Sequence, residues 1–355
     1  MAKDKETDKQ EKKSAEKAEE AEKTEKTEKT EKTDKAEKTE KIEKIEKAEK
    51  AEKTEKTEKA DKKNIKSKKK MDPVSRIILT ISVIVFLCSG GYLAYKYIGE
   101  PILEQLELAA YKKDYSSADT PSAKDGVWED NKKEEEERLE NGMLASFKNL
   151  IELNSDVVGW ISIPNTPIDY PVTQTTNNSY YLKHNINKEA NSSGCPFVDY
   201  RNVIKPGELS RCTLIYGHHR RNGTMFAKLT KYNDIEFYKE NPVIRFDTIY
   251  DRNEWVIFAN LRTSTNSQYG KPYQYIRTSF KDDKDFTGFI ADLRERSMID
   301  TPVEVTADDE ILLLSTCSYE RTGWRMIIAA RKIRESETSI DVSSASMAKN
   351  PLMPK

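Results

Sequence analysis

The residues best placed to do chemistry lie in the stretch ILLLSTCSYERTGWR, residues 311–325. Ile311, Leu312, Leu313 and Leu314 form a short apolar run suited to a core strand. Ser315, Thr316 and Cys317 carry that strand to a polar edge, and from Arg325 the run Met326, Ile327, Ile328, Ala329, Ala330 reads as a second strand. The connection between them, residues 318–324, contains Gly323 and is short enough for an antiparallel hairpin. Such a hairpin brings Cys317 and Arg325 together. A thiol beside a permanent cation has a reason to ionise, and a guanidinium can face charge that develops on a carbonyl oxygen. Proton transfer then needs an acid or base, and the chain has 3 histidines to supply it. His218 and His219 follow the strand-like CTLIYG, which ends at Gly217 and delivers both imidazoles to a strand edge. His184, within YYLKHN, lacks such a setting.

On residue types alone the competing readings stay open: a buried structural Cys317, surface histidines, and an arginine paired to an acid. Asp247 and Glu320 can orient His218 only if the fold brings them close. Cys88, Cys195 and Cys212 complete a set of 4 cysteines without a CxxC pair, so neither a disulfide-rich fold nor a Cys/His zinc site is expected. Cys195 and Cys212 are expected as two buried thiols, with a disulfide as the other reading.

The elements that must position these residues occupy the second half of the chain. The 355 residues carry a formal net charge of -1, which excludes a basic nucleic-acid-binding surface as the organising feature. Residues 1–75 are a Glu/Lys-rich segment with a period of three, which fits neither the 3.6 of a core helix nor the 3.5 of a coiled coil. It reads as disordered, or as a solitary charged helix supported by i,i+4 pairs. Lys66, Lys68, Lys69, Lys70 and Arg76 form a basic collar before an apolar stretch at 76–98, long enough to span a bilayer. The collar predicts a cytoplasmic N-terminus and an extracellular remainder. Residues 99–130 read as a polar juxtamembrane linker, and 131–153 as a helix with a stripe of Leu139, Met143, Phe147 and Leu150. From Val157 short strand signals recur between turns, which indicates an all-β barrel or sandwich with short helices at 224–232 and 283–296. Trp160, Phe197, Phe246, Trp255 and Phe258 are the expected core. The Ser-rich tail, 336–355, is expected to be loose.

Three ordered segments, VGWISIPNTPIDYPVTQTTNNSYYLKHN, IYGHHRRNGTMFAKLTKY and LLLSTCSYE, together with Arg325, resemble the class B sortases, membrane-anchored cysteine transpeptidases of Gram-positive bacteria. The resemblance implies an eight-stranded sortase-type β-barrel with peripheral helices over residues 131–335. It implies Cys317 as nucleophile, His218 as general acid and base, and Arg325 as the group that stabilises substrate or oxyanion. His219 stands where the family often has asparagine. The short Cys317–Arg325 spacing leaves Arg321 as a second candidate, and the Glu/Lys leader is a further departure. Thr316, Ser315, Tyr181 and His219 are expected around the pocket. The implied partners are secreted proteins bearing an Asn-Pro-x-Thr-like sorting motif, a peptidoglycan amine and the cytoplasmic membrane, with no nucleic acid, no cofactor and no metal. Alternatives of the same chemistry are a membrane-tethered cysteine peptidase that ends in hydrolysis and a pilin-polymerising sortase. A wall-binding module that keeps only the barrel is a third reading, and the presence of all three site residues speaks against it.

Overall fold

The computed structural model describes residues 72–115, 124–129, 137–269, 272–318 and 323–354. The chain divides into two units between Leu93 and Ala94.

The first unit contains helix α1, Pro73–Ala94, up to its last residue. Pro73 opens it, where a missing N–H costs nothing, and the Asp72 carboxylate accepts from the Ser75 amide at 3.1 Å and its hydroxyl at 2.5 Å. Its 22 residues rise about 33 Å at roughly 1.5 Å each, against about 30 Å of bilayer hydrocarbon. α1 is apolar and long enough to cross a membrane. Its start lies three residues before the expected 76, because Asp72 and Pro73 form the N-terminal cap.

The second unit is built on a closed barrel of eight strands. They are β1 Val157–Ser162, β2 Asp169–Thr173, β3 Phe197–Val198, β4 Cys212–Tyr216, β5 Val243–Thr248, β6 Glu254–Ser264, β7 Ile311–Ser318 and β8 Trp324–Lys332. Around the barrel the order is β7-β8-β6-β5-β1-β2-β3-β4, closing back on β7. Most neighbours are antiparallel, but β4 and β7 run parallel, as do β2 and β3. A parallel pair needs a long crossover, and the β4–β7 crossover contains helix α4, Ile235–Glu240, then β5, β6 and a further helix, α5, Asp283–Glu295.

Trp160, Phe246, Trp255 and Phe258 are fully buried and Phe197 nearly so, as expected. β6 is buried along both faces because helix α5, Asp283–Glu295, covers its outer side. Phe286, Phe289, Ile290 and Leu293 provide the apolar stripe of α5, and Asp282 caps it by accepting from the Asp285 amide at 2.8 Å. The expected helix at 224–232 is a 3-10 turn, Phe226–Asn233.

Three expectations need correction. Residues 99–130 are not simply a linker, because Glu100–Asp114 is helix α2. Pro101 and Glu100 in its first turn and Lys112 and Lys113 in its last favour that conformation. The expected helix at 131–153 is absent over residues 137–144, where Gly142 adopts φ +80° and Asn141 accepts from the Met143 amide. Helical structure begins at Ala145 and ends with α3, Lys148–Leu153. The tail is not loose: Ser339–Asp341 pairs with Val127–Glu129, and Ser346–Met347 pairs with Ile299–Asp300. Ile340, Val342 and Ala345 are buried in these contacts, which offset the entropy of fixing the tail.

A second core lies beside the barrel, with Tyr115, Leu144, Phe147, Leu150, Trp160, Tyr181, Ile186 and Cys195 among its members. Tyr115 stacks on Trp160 with centroids 4.5 Å apart and donates its hydroxyl to Asp247 at 2.5 Å. α2 is tied to the barrel side through Tyr111, whose hydroxyl donates to Asn187, and through the Lys112–Asp169 ion pair.

Candidate active site

Three strand ends meet at one edge of the barrel. β4 and β7 run parallel with Tyr216 opposite Ser315, and the Gly217 amide extends the ladder to the Ser315 carbonyl at 3.1 Å. Two residues beyond that pairing lie His218, just past the end of β4, and Cys317, within β7. β8 starts antiparallel to β7 at the same edge, with Arg325 opposite Cys317. The register therefore places the backbones of His218, Cys317 and Arg325 side by side. Glu320 and Arg321 lie outside the described residues.

Gly217 is required by packing, since a Cβ there would meet the Phe226 ring at 2.6 Å. Phe226 in turn donates its amide to the His218 carbonyl at 2.9 Å. His218 is half-buried, and its Nε2 stands 2.8 Å from the Leu182 carbonyl. A carbonyl only accepts, so Nε2 carries the proton of that bond. Under the ring lies Gly194, at φ +65°, where a Cβ would meet the Tyr181 carbonyl at 2.4 Å and His218 Cδ2 at 3.2 Å. Arg325 is half-buried and donates from Nη1 to the Trp324 carbonyl at 3.2 Å. Among the described residues no carboxylate pairs with it.

The pocket candidates divide. Ser315 is buried and its hydroxyl bonds the Tyr275 hydroxyl at 2.9 Å. Thr316 is buried and its hydroxyl has no partner among the described residues. His219 follows His218 out of the strand and bridges to Met225. Tyr181 is only 1% exposed, and its hydroxyl donates to Asp156 at 2.9 Å while accepting from Asn154 at 2.8 Å. Its side chain belongs to the second core, and its carbonyl faces Gly194. Asp247 is not beside His218 in the hydrogen-bond pattern, because Tyr115, Arg252 and the Asn253 amide occupy its oxygens. His184 stacks on Tyr180 with centroids 4.0 Å apart and donates from Nδ1 to the Tyr180 carbonyl.

Below the site, the buried Asp199 accepts from Arg201 Nη2 at 2.7 Å, Asn178 at 2.8 Å and the Tyr216 hydroxyl at 2.9 Å. Burial pushes the Asp199 carboxyl up, but these hydrogen bonds prevail and hold it below the usual range. Burial and the Asp199 charge push the Tyr216 phenol up, so it stays protonated as the donor. Cys195 and Cys212 are free thiols, each buried. Burial pushes Cys195 up to about 12 and raises Cys212 as well. Both are poor nucleophiles in the folded state.

Comparison with known proteins agrees with this architecture. A family profile described as the Sortase domain matches residues 161–333. Sortase B of Staphylococcus aureus is 31% identical over 270 residues, covering 76% of this chain and 99% of that protein. Sortase B of Listeria monocytogenes is 36% identical over 189 residues, covering 53% of this chain and 74% of that protein. Among solved structures, sortase B from Bacillus anthracis in complex with AAEK2 matches with a TM-score of 0.55 and 29% identity, covering 66% of this chain and 98% of that one. A Bacillus anthracis protein described as similar to sortase B matches with a TM-score of 0.54 and 28% identity over the same shares.

Proposed function

The chain belongs to the sortase B family, and from that premise we propose how its strand-end residues divide the work of a cysteine transpeptidase acting on sorting-motif substrates. Cys317 is the nucleophile. Its thiolate attacks the carbonyl carbon of the sorting motif's threonine, in a motif of the Asn-Pro-x-Thr type, and a tetrahedral oxyanion forms. Arg325 donates to that oxyanion or to the adjacent substrate carbonyls with its planar fork. His218, as imidazolium, protonates the departing amine as the peptide C–N bond breaks, leaving a thioester on Cys317. A peptidoglycan amine then attacks the thioester, His218 takes a proton from it, and a new amide forms as the thiolate leaves. The product is a secreted protein joined to the cell wall.

The observation that carries this reading is the β4–β7–β8 register, which sets His218, Cys317 and Arg325 at adjacent strand ends. Residues 1–75 are assigned to the cytoplasm and the barrel to the outside, on the basic collar before α1.

The test uses the full chain in detergent with a panel of sorting-motif peptides. Mass spectrometry is expected to find an acyl adduct on Cys317 that converts to an amide-linked product when an oligoglycine or diaminopimelate amine is added. Cys317→Ala abolishes both. Cleavage without transfer to any amine replaces this reading by a hydrolytic peptidase.

A further inference from the structure

His218 does not stand alone at its strand end; it sits in a socket made by one closed loop. Residues 181–195 leave and return to the same place, with the Cys195 amide donating to the Tyr181 carbonyl at 3.0 Å and the Asn191 amide donating to the Lys183 carbonyl at 2.8 Å. One side of that loop offers the Leu182 carbonyl to His218 Nε2 at 2.8 Å. The other side offers Gly194, whose missing side chain lets the ring approach. The chain just after the histidine is held to the same loop, because Arg220 Nη1 donates to the Ser192 carbonyl at 2.9 Å.

What steadies the returning side is a carboxylate from outside the barrel. Glu104 of α2 accepts from Asn191 Nδ2 at 2.9 Å and from the Ser193 hydroxyl at 2.9 Å and 3.1 Å, one distance to each oxygen. Ser193 is 2% exposed, so its hydroxyl depends on a protein partner. The Asn191 side chain also accepts from the Ser193 amide at 2.6 Å. Ser193 stands immediately before Gly194, and the Gly194 amide donates to the Asn191 carbonyl at 3.3 Å. A chain of hydrogen bonds and then packing therefore runs from the helix after α1 to the floor under the imidazole: Glu104 bonds Asn191 and Ser193, and the adjoining Gly194 packs against His218.

We propose that Glu104 is a positioning residue for His218, acting through Asn191, Ser193 and Gly194 to hold the imidazole with Nε2–H on Leu182 and Nδ1 as the nitrogen that exchanges protons in the reaction. This rests on the reading of His218 as the acid and base. A hydrogen bond between Nε2–H and a carbonyl persists in both the neutral and the charged ring, so the loop fixes the tautomer without competing for the mobile proton. Misplacing such a group by about 1 Å costs on the order of 100-fold in rate, while remote substrate contacts are untouched. The helix carrying Glu104 thus contributes to turnover.

The experiment uses the full chain in nanodiscs, compared as wild type, Glu104→Ala, Glu104→Gln and Gly194→Ala, with His218→Ala as a separate control. Glutamine keeps an acceptor oxygen for Asn191 and Ser193; alanine keeps none. Glu104→Ala is expected to lower kcat roughly tenfold with KM within about twofold, and Glu104→Gln to restore most of kcat. Gly194→Ala is expected to lower kcat by about 100-fold. Nitrogen-15 spectra of the imidazoles, assigned with His184→Gln and His219→Asn, are expected to show neutral His218 protonated on Nε2 in the wild type and mixed tautomers in Glu104→Ala. A wild-type kcat and unchanged His218 signals in Glu104→Ala overturn the role of Glu104 and leave the reading of His218 intact. Neutral His218 protonated on Nδ1 in the wild type overturns the socket. Activity retained by His218→Ala overturns the acid-base reading itself, whatever the spectra show.

Discussion

Arg325 and Cys317 face each other across one rung of the β7–β8 ladder, and this geometry asks more of the arginine than charge. A lysine would keep the cation but not the fork that spans two acceptors. Arg325→Ala is expected to lower kcat by about 100-fold, the size of losing one oxyanion donor, and Arg325→Lys to recover less than a tenth of that loss. Steady-state transpeptidation with a sorting-motif peptide and an amine measures both; full recovery in the lysine variant would reduce the role of Arg325 to simple electrostatics. The other thiols make a contrasting case. Cys195, raised by burial to about 12, and Cys212, also raised, keep their protons where an unfolded thiol near ~8.5 loses its own. In that window the folded state binds more protons than the unfolded one, so stability falls as pH rises. Each thiol adds a slope of about 1.4 kcal/mol per pH unit above ~8.5. Thermal unfolding is expected to show a lower Tm at pH 10 than at pH 8, and Cys195→Ala with Cys212→Ala is expected to narrow that difference. The strand ends that carry His218, Cys317 and Arg325 were legible in the sequence because each lies where an apolar run begins or ends. The Leu182 carbonyl was not, because a main-chain acceptor leaves no trace in residue type.

At the scale of elements, the barrel strands followed from apolar runs between turns, and the β7–β8 hairpin from a short connection containing a glycine. The misreadings occurred where a pattern was present but its periodicity was ambiguous. The stripe Leu139, Met143, Phe147, Leu150 has helical spacing, yet Leu144, Phe147 and Leu150 are the residues that reach the core. Gly142 at φ +80° breaks any helix before it. Gly194 carried no signal in residue type, and Glu104 lay in what read as a linker. The tail is the other case, since its short strands are too polar to announce themselves. Beside their buried apolar contacts they have an electrostatic anchor: Glu337 receives Arg331 Nη1 at 2.6 Å and Nη2 at 2.8 Å, and Arg331 is 2% exposed. Removing the carboxylate leaves a buried cation, at a cost of about 3–5 kcal/mol. Glu337→Ala is expected to lower the unfolding free energy obtained from urea titration by that amount while the transfer reaction stays near wild type at low temperature. Burial pushes Glu337 up, but the Arg331 hydrogen bonds, the Arg334 amide and both guanidinium charges outweigh it and hold the carboxyl low. The contribution is therefore present at neutral pH and is lost as pH falls below the ordinary glutamate value of ~4.3 through the lower folded one. Urea midpoints measured from pH 7 to pH 3 should converge for wild type and Glu337→Ala at the acid end.

At the scale of the whole molecule, the proposed reaction calls for one side of the membrane. On that proposal the sorting motif arrives on a secreted protein and the acceptor amine belongs to the wall, which is the expectation of a barrel outside and a leader inside. α1 supplies a span of sufficient length; Lys66, Lys68, Lys69 and Lys70 precede it and Arg76 lies in its first turn. Cations flanking a span resist transfer across the bilayer, whereas Glu residues contribute little to orientation. The leader's near balance of Glu and Lys therefore does not cancel the collar. Protoplasts that carry the full chain are expected to lose the barrel to external protease and to keep a fragment of about the first 95 residues, detected by an N-terminal tag. Replacing the four collar lysines with glutamine should raise the share of chains in which the tag is cut instead. Protection of the barrel and digestion of the leader in the wild type would reverse the orientation, and the enzyme would then face away from both of its substrates. Because α2 begins only six residues after α1 ends, Glu104 lies about ten residues beyond the end of α1. A flexible (Gly-Ser) insertion between Leu93 and Ala94 is therefore expected to leave the transfer of soluble peptides within about twofold of wild type, since Glu104 travels with the barrel and its bonds to Asn191 and Ser193 are unchanged. An equally long insertion after Tyr115, which separates α2 from the rest of the unit's chain without removing it, is expected to lower kcat, because the ordering of Glu104 against the loop then costs loop-closure entropy. Equal effects of the two insertions on kcat would mean that α2 contributes nothing to turnover beyond its attachment to the membrane.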